Sequence, residues 1–191
     1  MKPTLILASA SPRRAELLEQ IGVRFQVYAV DIDEAPRTDE SPLAYVQRLA
    51  AEKSAACAAQ RGLAIPILAA DTTVVLGSMI LGKPQDQADA VSMLRLLSGK
   101  THQVFTALSL RGHTHDEAVS ITEVTFKSLS EQEIQAYWQS GEPLDKAGAY
   151  AIQGQGGLFV RTINGSFSGV VGLPLFETGQ LLAQQGIDIL K

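Results

Sequence analysis

The sequence predicts an α/β fold in which a mixed central β-sheet is flanked by helices. Apolar runs of strand length alternate with amphipathic stretches of helical period, and no repeat or low-complexity segment interrupts them. Both tight hairpin turns and longer helical crossovers join the strand segments, which requires antiparallel and parallel pairs in one sheet. The chain has 191 residues, 46% of them hydrophobic. That is enough for one full core, so we expect a single domain over residues 1–191.

The helices are predicted from their start and end signals and from the spacing of their apolar residues. Residues that favour the N-cap stand before four of them, twice followed by proline at the first helical position; these residues are Ser11, Ser41, Asp86 and Ser130. Glu133 completes a capping box with Ser130. In order, the helices are expected over residues 12–21, 42–61, 87–97, 131–140 and 175–185.

The strands are predicted from short apolar or alternating runs that are bounded by turn residues. In order, they are expected over residues 5–8, 25–29, 67–76, 79–81, 102–110, 120–127, 158–163 and 167–171. Three turns join neighbouring strands as hairpins: Gly77-Ser78, the polar segment 112–117, and Asn164-Gly165. The Asn-Gly pair favours a type I′ turn, so we expect the last two strands to pair with each other.

The composition excludes several classes of function. Twenty acidic against sixteen basic residues give a net charge of −4, which argues against a general nucleic-acid or membrane-surface binder. The N-terminus does not resemble a signal peptide and no apolar run approaches the length of a membrane span, so we expect a cytoplasmic protein. Cys57 is the only cysteine, and in its alanine-rich stretch we interpret it as a helix-packing residue.

Two arginines at the start of the first helix are the most informative local feature. Arg13 and Arg14 fall in the first turn, where the helix macrodipole disfavours cations. The arrangement makes sense if an anion docks there, held by free backbone N–H groups, serine hydroxyls and two guanidinium groups. The alternative is a solvated basic pair at a surface helix end.

Two carboxylates and two lysines are further candidates for chemistry. Asp71 ends the apolar run of a buried strand, where α/β sheets bind ligands, although aspartate also forms turns. Glu34 lies in the acidic loop 31–40, where a solvated acid is the alternative. Lys53 lies on the inner face of the second helix and must either extend to solvent or meet an anion. Lys83 stands at a strand end, as a phosphate contact or a solvated residue.

Two glycine-containing segments differ in what they predict. The segment 77–83 has the spacing of a Walker A loop, but its interior is apolar and Pro84 stands where magnesium binding needs Ser or Thr. We therefore do not expect a P-loop. The segment 153–157 reads Gln-Gly-Gln-Gly-Gly, and its backbone could approach a ligand closely.

These residues stand within a longer ordered set of motifs. The set comprises Ser9-Ala10-Ser11-Pro12-Arg13-Arg14, Glu34, Lys53, Ala70-Asp71-Thr72, Gly82-Lys83-Pro84, Ser98-Gly99-Lys100-Thr101-His102, Asp145-Lys146-Ala147-Gly148 with Tyr150, and Asn164-Gly165-Ser166 followed by Val171-Gly172-Leu173-Pro174. In order and spacing it resembles the Maf family over essentially the whole chain. The resemblance implies a nucleoside triphosphate pyrophosphatase that uses a divalent metal. It also implies an elongated fold similar to the inosine triphosphatases, and a homodimer.

The resemblance also implies a substrate class and residue roles. Arg13, Thr72 and Gln153 are similar to the branch of the family that hydrolyses dTTP and UTP to the monophosphate and pyrophosphate. We expect Asp71 to act as general base and to share a magnesium or manganese ion with Glu34. The remaining expected substrate contacts carry cations or a hydroxyl suited to phosphate; they are Ser9, Arg14, Lys53 and Lys83.

Two alternatives stay open on the sequence. One is a house-cleaning enzyme for a modified purine triphosphate, which would need a different base pocket. The other is a non-catalytic regulator that binds nucleotide or a protein partner, because the family is associated with inhibition of septum formation. Binding alone does not require a base, so the presence of every expected charged residue favours the enzyme.

Overall fold

Over residues 3–190, which the computed structural model describes, seven strands and six α-helices form the fold. The strands are β1 (Leu5–Leu7), β2 (Phe25–Val27), β3 (Ile67–Leu76), β4 (Met79–Leu81), β5 (Thr101–Arg111), β6 (His115–Phe126) and β7 (Val160–Asn164). The helices are α1 (Pro12–Gln20), α2 (Pro42–Arg61), α3 (Gln87–Leu97), α4 (Glu131–Gln139), α5 (Phe167–Val171) and α6 (Leu175–Gln184). None of these helices is long and apolar enough to cross a membrane.

The sheet is mixed, as the sequence predicts. Its strand order is β2-β1-β3-β5-β6-β7, with β4 paired to β3 outside this path. β1 lies parallel to both β2 and β3, and every other pair is antiparallel. β1 and β2 are joined through α1, and the chain returns from β2 through α2 to β3 on the other side of β1, while a tight turn joins β5 to β6. Crossovers and hairpins therefore produce the two kinds of pairing expected of them.

The alternation of side chains along β3 explains which groups reach the candidate site. Ile67 and Ala69 pack with Cys57 of α2 on one face of the sheet. Leu68 and Ala70 pack with the leucines of α1 on the other face. Because successive residues of a strand point to opposite faces, Asp71 faces α2 and Thr72 faces α1.

A crevice opens where β1 leaves the sheet. The parallel pairing of β1 with β3 ends at Leu7 and Leu68, after which the chain turns into α1. β3 continues to Leu76 without that neighbour, so its residues from 69 onward on this side face the α1 turn instead of a strand. Crevices of this kind, beyond the carboxyl end of a parallel strand, are where α/β proteins bind ligands.

One predicted hairpin is wrong. Residues 167–171, expected as a strand, form the short helix α5, and β7 pairs with β6 instead. The Ser166 side chain accepts a hydrogen bond from the Gly169 amide and so caps α5. A type I′ turn needs positive φ at both central residues, but only Gly165 has it, and the Gly165 backbone lies against Thr122 of β6. Contacts remote in sequence thus turn the chain away from a hairpin.

Other element boundaries differ by a few residues. β6 begins at His115, five residues before the predicted start, because the β5–β6 ladder continues in register up to Arg111 and His115. The predicted polar turn 112–117 therefore shrinks to three residues. In the segment expected to start a strand at 158, residues 155–159 form a short 3₁₀ helix and β7 starts at Val160.

Candidate active site

A cavity of about 850 Å³ lies in the crevice, and all nine residues singled out from the sequence line it. They are Ser9, Arg13, Arg14, Glu34, Lys53, Asp71, Thr72, Lys83 and Gln153. Among the described lining residues, basic side chains outnumber acidic ones by five to three: Arg13, Arg14, Lys53, Lys83 and Lys146 against Glu34, Asp71 and Asp145. The cavity is therefore suited to an anionic ligand.

Lys53 joins the two carboxylates of the cavity. Its Nζ lies 2.6 Å from Asp71 Oδ1 and 2.6 Å from Glu34 Oε1. The side chain of Lys53 is 12% exposed and that of Asp71 10%, whereas that of Glu34 is 45% exposed. The lysine that interrupts the apolar face of α2 thus meets carboxylates in the free protein and presents its charge to the cavity between them.

Burial changes the proton affinity of Asp71. Loss of hydration raises the pKa of the Asp71 carboxyl above its usual value, and the nearby Lys53 and Arg14 oppose that rise without cancelling it. A carboxylate with a raised pKa is a stronger base than a free aspartate. This is the direction that a general base working near neutral pH requires.

The two arginines of α1 differ in their surroundings. Arg14 Nε donates to Gly172 O at 2.8 Å, and its terminal nitrogens donate to Ser9 Oγ at 3.1 Å and Thr72 Oγ1 at 3.2 Å. Arg13 is half-buried, and its side chain makes no hydrogen bond or ion pair with any residue from 3 to 190, although the charges of Glu16 and Asp145 lie near enough to act on it. Arg14 is therefore fixed in the cavity wall, while Arg13 keeps all its donors for a ligand.

The start of α1 also leaves donors available. Ser11 occupies the N-cap position as predicted, but its side chain makes no capping hydrogen bond. The Ser9 hydroxyl instead accepts a hydrogen bond from the Ser11 amide at 3.1 Å. The first turn of a helix has N–H groups without partners in the helix, and here they lie at the wall of a cavity that is rich in cations.

Side chains of α2 hold the loop that carries Glu34. The Tyr45 hydroxyl donates to Glu34 O at 3.0 Å, and burial raises the pKa of Tyr45 to about 12, so this donor keeps its proton. Arg48 donates to Ala35 O at 3.1 Å and to both carboxylate oxygens of Glu40, at 2.6 and 2.8 Å. That contact lowers the pKa of Glu40 to about 2. Neither Tyr45 nor Arg48 was predicted from the sequence.

Lys83 and Gln153 lie at more open parts of the cavity. Lys83 Nζ is 4.0 Å from Glu34 Oε2, and its side chain is 62% exposed. Gln153 is exposed and follows Ile152, in the wall that also includes Tyr150 and Ala151. Both side chains are exposed, in contrast to the buried Asp71.

A buried histidine supports the wall from behind. His102 Nε2 lies 2.8 Å from the Tyr150 hydroxyl, and the His102 ring packs edge-on against Phe126. Its Nδ1 has no hydrogen-bond partner among the described residues. Burial lowers the pKa of His102 from its usual 6.5 to about 4, so the imidazole is neutral at physiological pH.

The two carboxylates fit a divalent cation. Both direct an oxygen at one positive charge, the Lys53 ammonium, so their oxygens converge. No cluster of three or more His, Cys, Asp or Glu side chains suited to a metal is found between residues 3 and 190. Magnesium is commonly held by one or two carboxylates, with phosphate and water oxygens completing its shell. The donor set here matches that pattern and needs a phosphate ligand to complete it.

The fold and the cavity together define an α/β protein whose cavity has the size and charge to suit an anionic ligand such as a nucleotide. Sequence comparison identifies the family. The model of the family described as Maf-like protein matches residues 4–185, and the chain therefore belongs to the Maf family.

Close relatives agree with this assignment, and a solved structure has a similar fold. The chain is 53% identical to a dTTP/UTP pyrophosphatase of Methylococcus capsulatus over 98% of this chain and 93% of that protein. It is 55% identical to a dTTP/UTP pyrophosphatase of Myxococcus xanthus over 97% of this chain and 94% of that protein. The Ham1 protein of Staphylococcus aureus has a similar fold, with a TM-score of 0.50 at 14% identity, over 81% of this chain and 90% of that chain.

Proposed function

We propose that the protein is a nucleoside triphosphate pyrophosphatase that hydrolyses dTTP and UTP to the nucleoside monophosphate and pyrophosphate. The curated relatives that share more than half of their residues with this chain are dTTP/UTP pyrophosphatases. The observation that carries the proposal is the buried Asp71 within a cavity lined by four predicted phosphate-binding cations. A binding protein has no need of a buried base, so this observation favours the enzyme over the non-catalytic regulator.

The residues of the cavity suit the reaction in distinct ways. Arg13, Lys53 and Lys83 neutralise the triphosphate, and Arg14 shapes the wall around it. Asp71 takes a proton from a water molecule whose oxygen attacks the α-phosphorus. The bond from the α-phosphorus to its bridging oxygen breaks, and the electron pair leaves with pyrophosphate.

A divalent metal is part of the proposal. Glu34 and Asp71 would hold magnesium or manganese together with the phosphate oxygens of the substrate. The metal, when bound, would offset phosphate charge and make a bound water more acidic. Lys53 lies between the same two carboxylates, so a bound metal would share Glu34 and Asp71 with the ammonium group of Lys53.

Product analysis in oxygen-18 water tests the reaction. The protein is incubated with dTTP and magnesium, and the products are separated by anion exchange and weighed by mass spectrometry. We expect dTMP that contains one oxygen-18, together with unlabelled pyrophosphate. Release of orthophosphate and dTDP would contradict the proposal, and label in pyrophosphate would place the attack at the β-phosphorus.

A nucleotide panel tests the substrate class. We expect kcat/KM to be highest for dTTP and UTP, lower for CTP, and lowest for GTP and 7-methyl-GTP. The Gln153 amide offers one donor and one acceptor, which complement the O4 and N3–H groups shared by thymine and uracil. Cytosine reverses that pattern, so a Gln153 amide that is held in one orientation would be left with an unpaired polar group. A preference for a purine triphosphate would overturn the pyrimidine assignment and leave the pyrophosphatase assignment standing.

The family resemblance also implies a homodimer, which we include in the proposal. Sedimentation velocity over a hundredfold range of protein concentration tests it. A single species at the mass of one 20.4 kDa chain throughout that range would show a monomer.

A further inference from the structure

The glycine-rich wall of the cavity is built around one carboxylate, that of Glu142. We propose that Glu142, backed by the Tyr137 hydroxyl, is a positioning residue for base selection, because it fixes the backbone on which Gln153 stands. The inference rests on the proposed function, in which Gln153 contacts the base. It assigns a role to two residues that do not line the cavity themselves.

The Glu142 carboxylate accepts three hydrogen bonds. Its Oε2 accepts from the Gln155 amide at 2.9 Å, and its Oε1 accepts from the Gly156 amide at 2.9 Å and from the Tyr137 hydroxyl at 2.7 Å. Two consecutive backbone N–H groups on one carboxylate fix both the position and the orientation of that peptide segment. Tyr137 comes from α4, so the segment is tied to an α-helix.

Tyr137 holds the other side of Gln153. Its hydroxyl accepts a hydrogen bond from the Ala151 amide at 3.0 Å while it donates to Glu142, and its side chain is buried. Gln153 therefore lies between an anchored residue two positions before it and an anchored residue two positions after it. Its own side chain is exposed, so its place in the cavity is set by these backbone anchors.

The glycines of the segment are explained by these anchors. A Cβ on Gly154 would overlap the Glu142 carboxylate. A Cβ on Gly156 would lie 2.6 Å from the Tyr137 hydroxyl oxygen and 2.7 Å from Ala151 O. The sequence predicts a close approach of this backbone to a ligand, whereas the groups that these two glycines approach in the structure belong to the protein itself.

The hydrogen bonds favour the ionised form of Glu142. Burial alone would raise the pKa of its carboxyl, but the bonds from Gly156, Gln155 and Tyr137 lower the pKa below its usual value. A carboxylate only accepts hydrogen bonds, as this arrangement requires. A glutamine at the position would direct an NH₂ donor at one of the two amide N–H groups and lose that contact.

Substrate selectivity separates positioning from mere stability. We expect Glu142→Gln to lower the ratio of kcat/KM for dTTP to that for CTP by roughly tenfold, because a displaced Gln153 pairs less well with the base. The value of kcat at saturating dTTP should stay within about threefold, because the Asp71 region is untouched. A change that only reduced the folded fraction would lower both nucleotides equally and leave the ratio unchanged.

A matched control and a second variant complete the test. Glu131→Gln is the control: it also replaces a glutamate by glutamine, but on α4 at an exposed ion pair with Arg95. It should leave the ratio of kcat/KM for dTTP to that for CTP as in the wild type. Tyr137→Phe removes only the hydroxyl and should lower the ratio in the same direction, which keeps the test valid if Glu142→Gln does not fold. An unchanged ratio in the folded variants would overturn the proposal.

A double mutant tests whether Glu142 acts through Gln153. In the background of Gln153→Ala, Glu142→Gln should have no further effect on the ratio, since the side chain that it positions is gone. Additive effects would show that Glu142 acts by another route and would overturn the proposal. Failure of the proposed function would appear in the wild type, as a preference for purine nucleotides or an absence of hydrolysis.

Discussion

The cavity wall has a charged end around Lys53 and Asp71 and a glycine-rich end where the segment 153–157 begins, and the two are held in place in different ways. At the charged end, side chains such as Lys53 and Asp71 point into the cavity and pair with each other. At the glycine-rich end, Glu142 and Tyr137 stand behind the wall and hold backbone in place. Groups that carry out the reaction must face the substrate, whereas groups that shape the wall need not. Changes at the first end should therefore alter rate, and changes at the second should alter selectivity.

The two ends also differ in what substrate binding changes. The Lys53 ammonium is paired with two carboxylates in the free protein, and an arriving triphosphate competes for that charge. The three hydrogen bonds of Glu142 involve only protein groups. They need not change when substrate binds, so the glycine-rich end is preorganised.

The largest expected effect tests the charged end. Asp71→Asn should lower kcat/KM by about a hundredfold or more, since the amide cannot accept the proton from water. The loss should be equal for dTTP and CTP, because the nucleobase is expected to contact the glycine-rich end and not Asp71. Steady-state kinetics with both nucleotides measures it, and a thermal melt checks the fold. Near-normal activity would show that Asp71 is only structural.

The next effect tests the glycine-rich end. Gly156→Ala inserts a methyl group against Tyr137 and Ala151 and should destabilise the protein by about 1–3 kcal/mol. Urea unfolding measures this loss. Gly179→Ala is the matched control, since a Cβ at that position of α6 has nothing within 4 Å. It should leave stability unchanged or raise it slightly. Equal effects of the two variants would contradict the tight packing of the wall.

A smaller effect on kcat/KM is expected from a residue that holds the charged end from outside the cavity. Arg48→Met removes the contacts with Ala35 and Glu40 and should loosen the loop that carries Glu34. We expect kcat/KM to fall roughly tenfold for dTTP and CTP alike, less than the hundredfold that an ångström of misplacement can cost. Arg95→Met, at an exposed pair with Glu131, is the control. A change in the ratio of kcat/KM for dTTP to that for CTP would contradict the assignment of selectivity to the glycine-rich end alone.

The last effect is a pH dependence of stability, which is confined to acidic solution. The pKa of His102 falls from 6.5 to about 4 on folding, so the unfolded chain takes up the proton first as pH decreases. The free energy of unfolding should therefore fall between about pH 6.5 and pH 4. His102→Phe should remove that part of the slope, whereas His113→Asn in the exposed turn should keep it. Denaturant titrations across this range provide the measurement.

Regular and strongly patterned parts of the fold could be predicted from the sequence. The long, mostly apolar run of β3 and the capping box of α4 carry their information locally, and both form as predicted. The strand expected at 167–171 could not be excluded locally. Its helical form depends on Ser166 as a cap and on the contact of Gly165 with Thr122, which lies more than forty residues away.

In the site, too, some residues could be predicted from local sequence and others could not. The nine predicted residues carry charge, a hydroxyl or an amide in recognisable motifs, and all of them line the cavity. Glu142 and Tyr137 were missed because most of their partners are backbone amides, and the glycines that make room for them do not show which side chains they accommodate. Arg48 had a usable signal, since Glu52 lies four residues later on α2 and forms an ion pair with it.

The alternation of side chains along β3 also limits which mutations its coding sequence can accept. Asp71 and Thr72 reach opposite faces only because an even number of peptide steps separates each from its neighbours in the core. A substitution at residues 67–70 changes the core packing around one side chain and leaves the facing of the other residues as it is. The insertion or deletion of a single codon there would exchange the two faces and direct the carboxylate away from Lys53. We therefore expect this stretch to accept point mutations far more readily than changes in length.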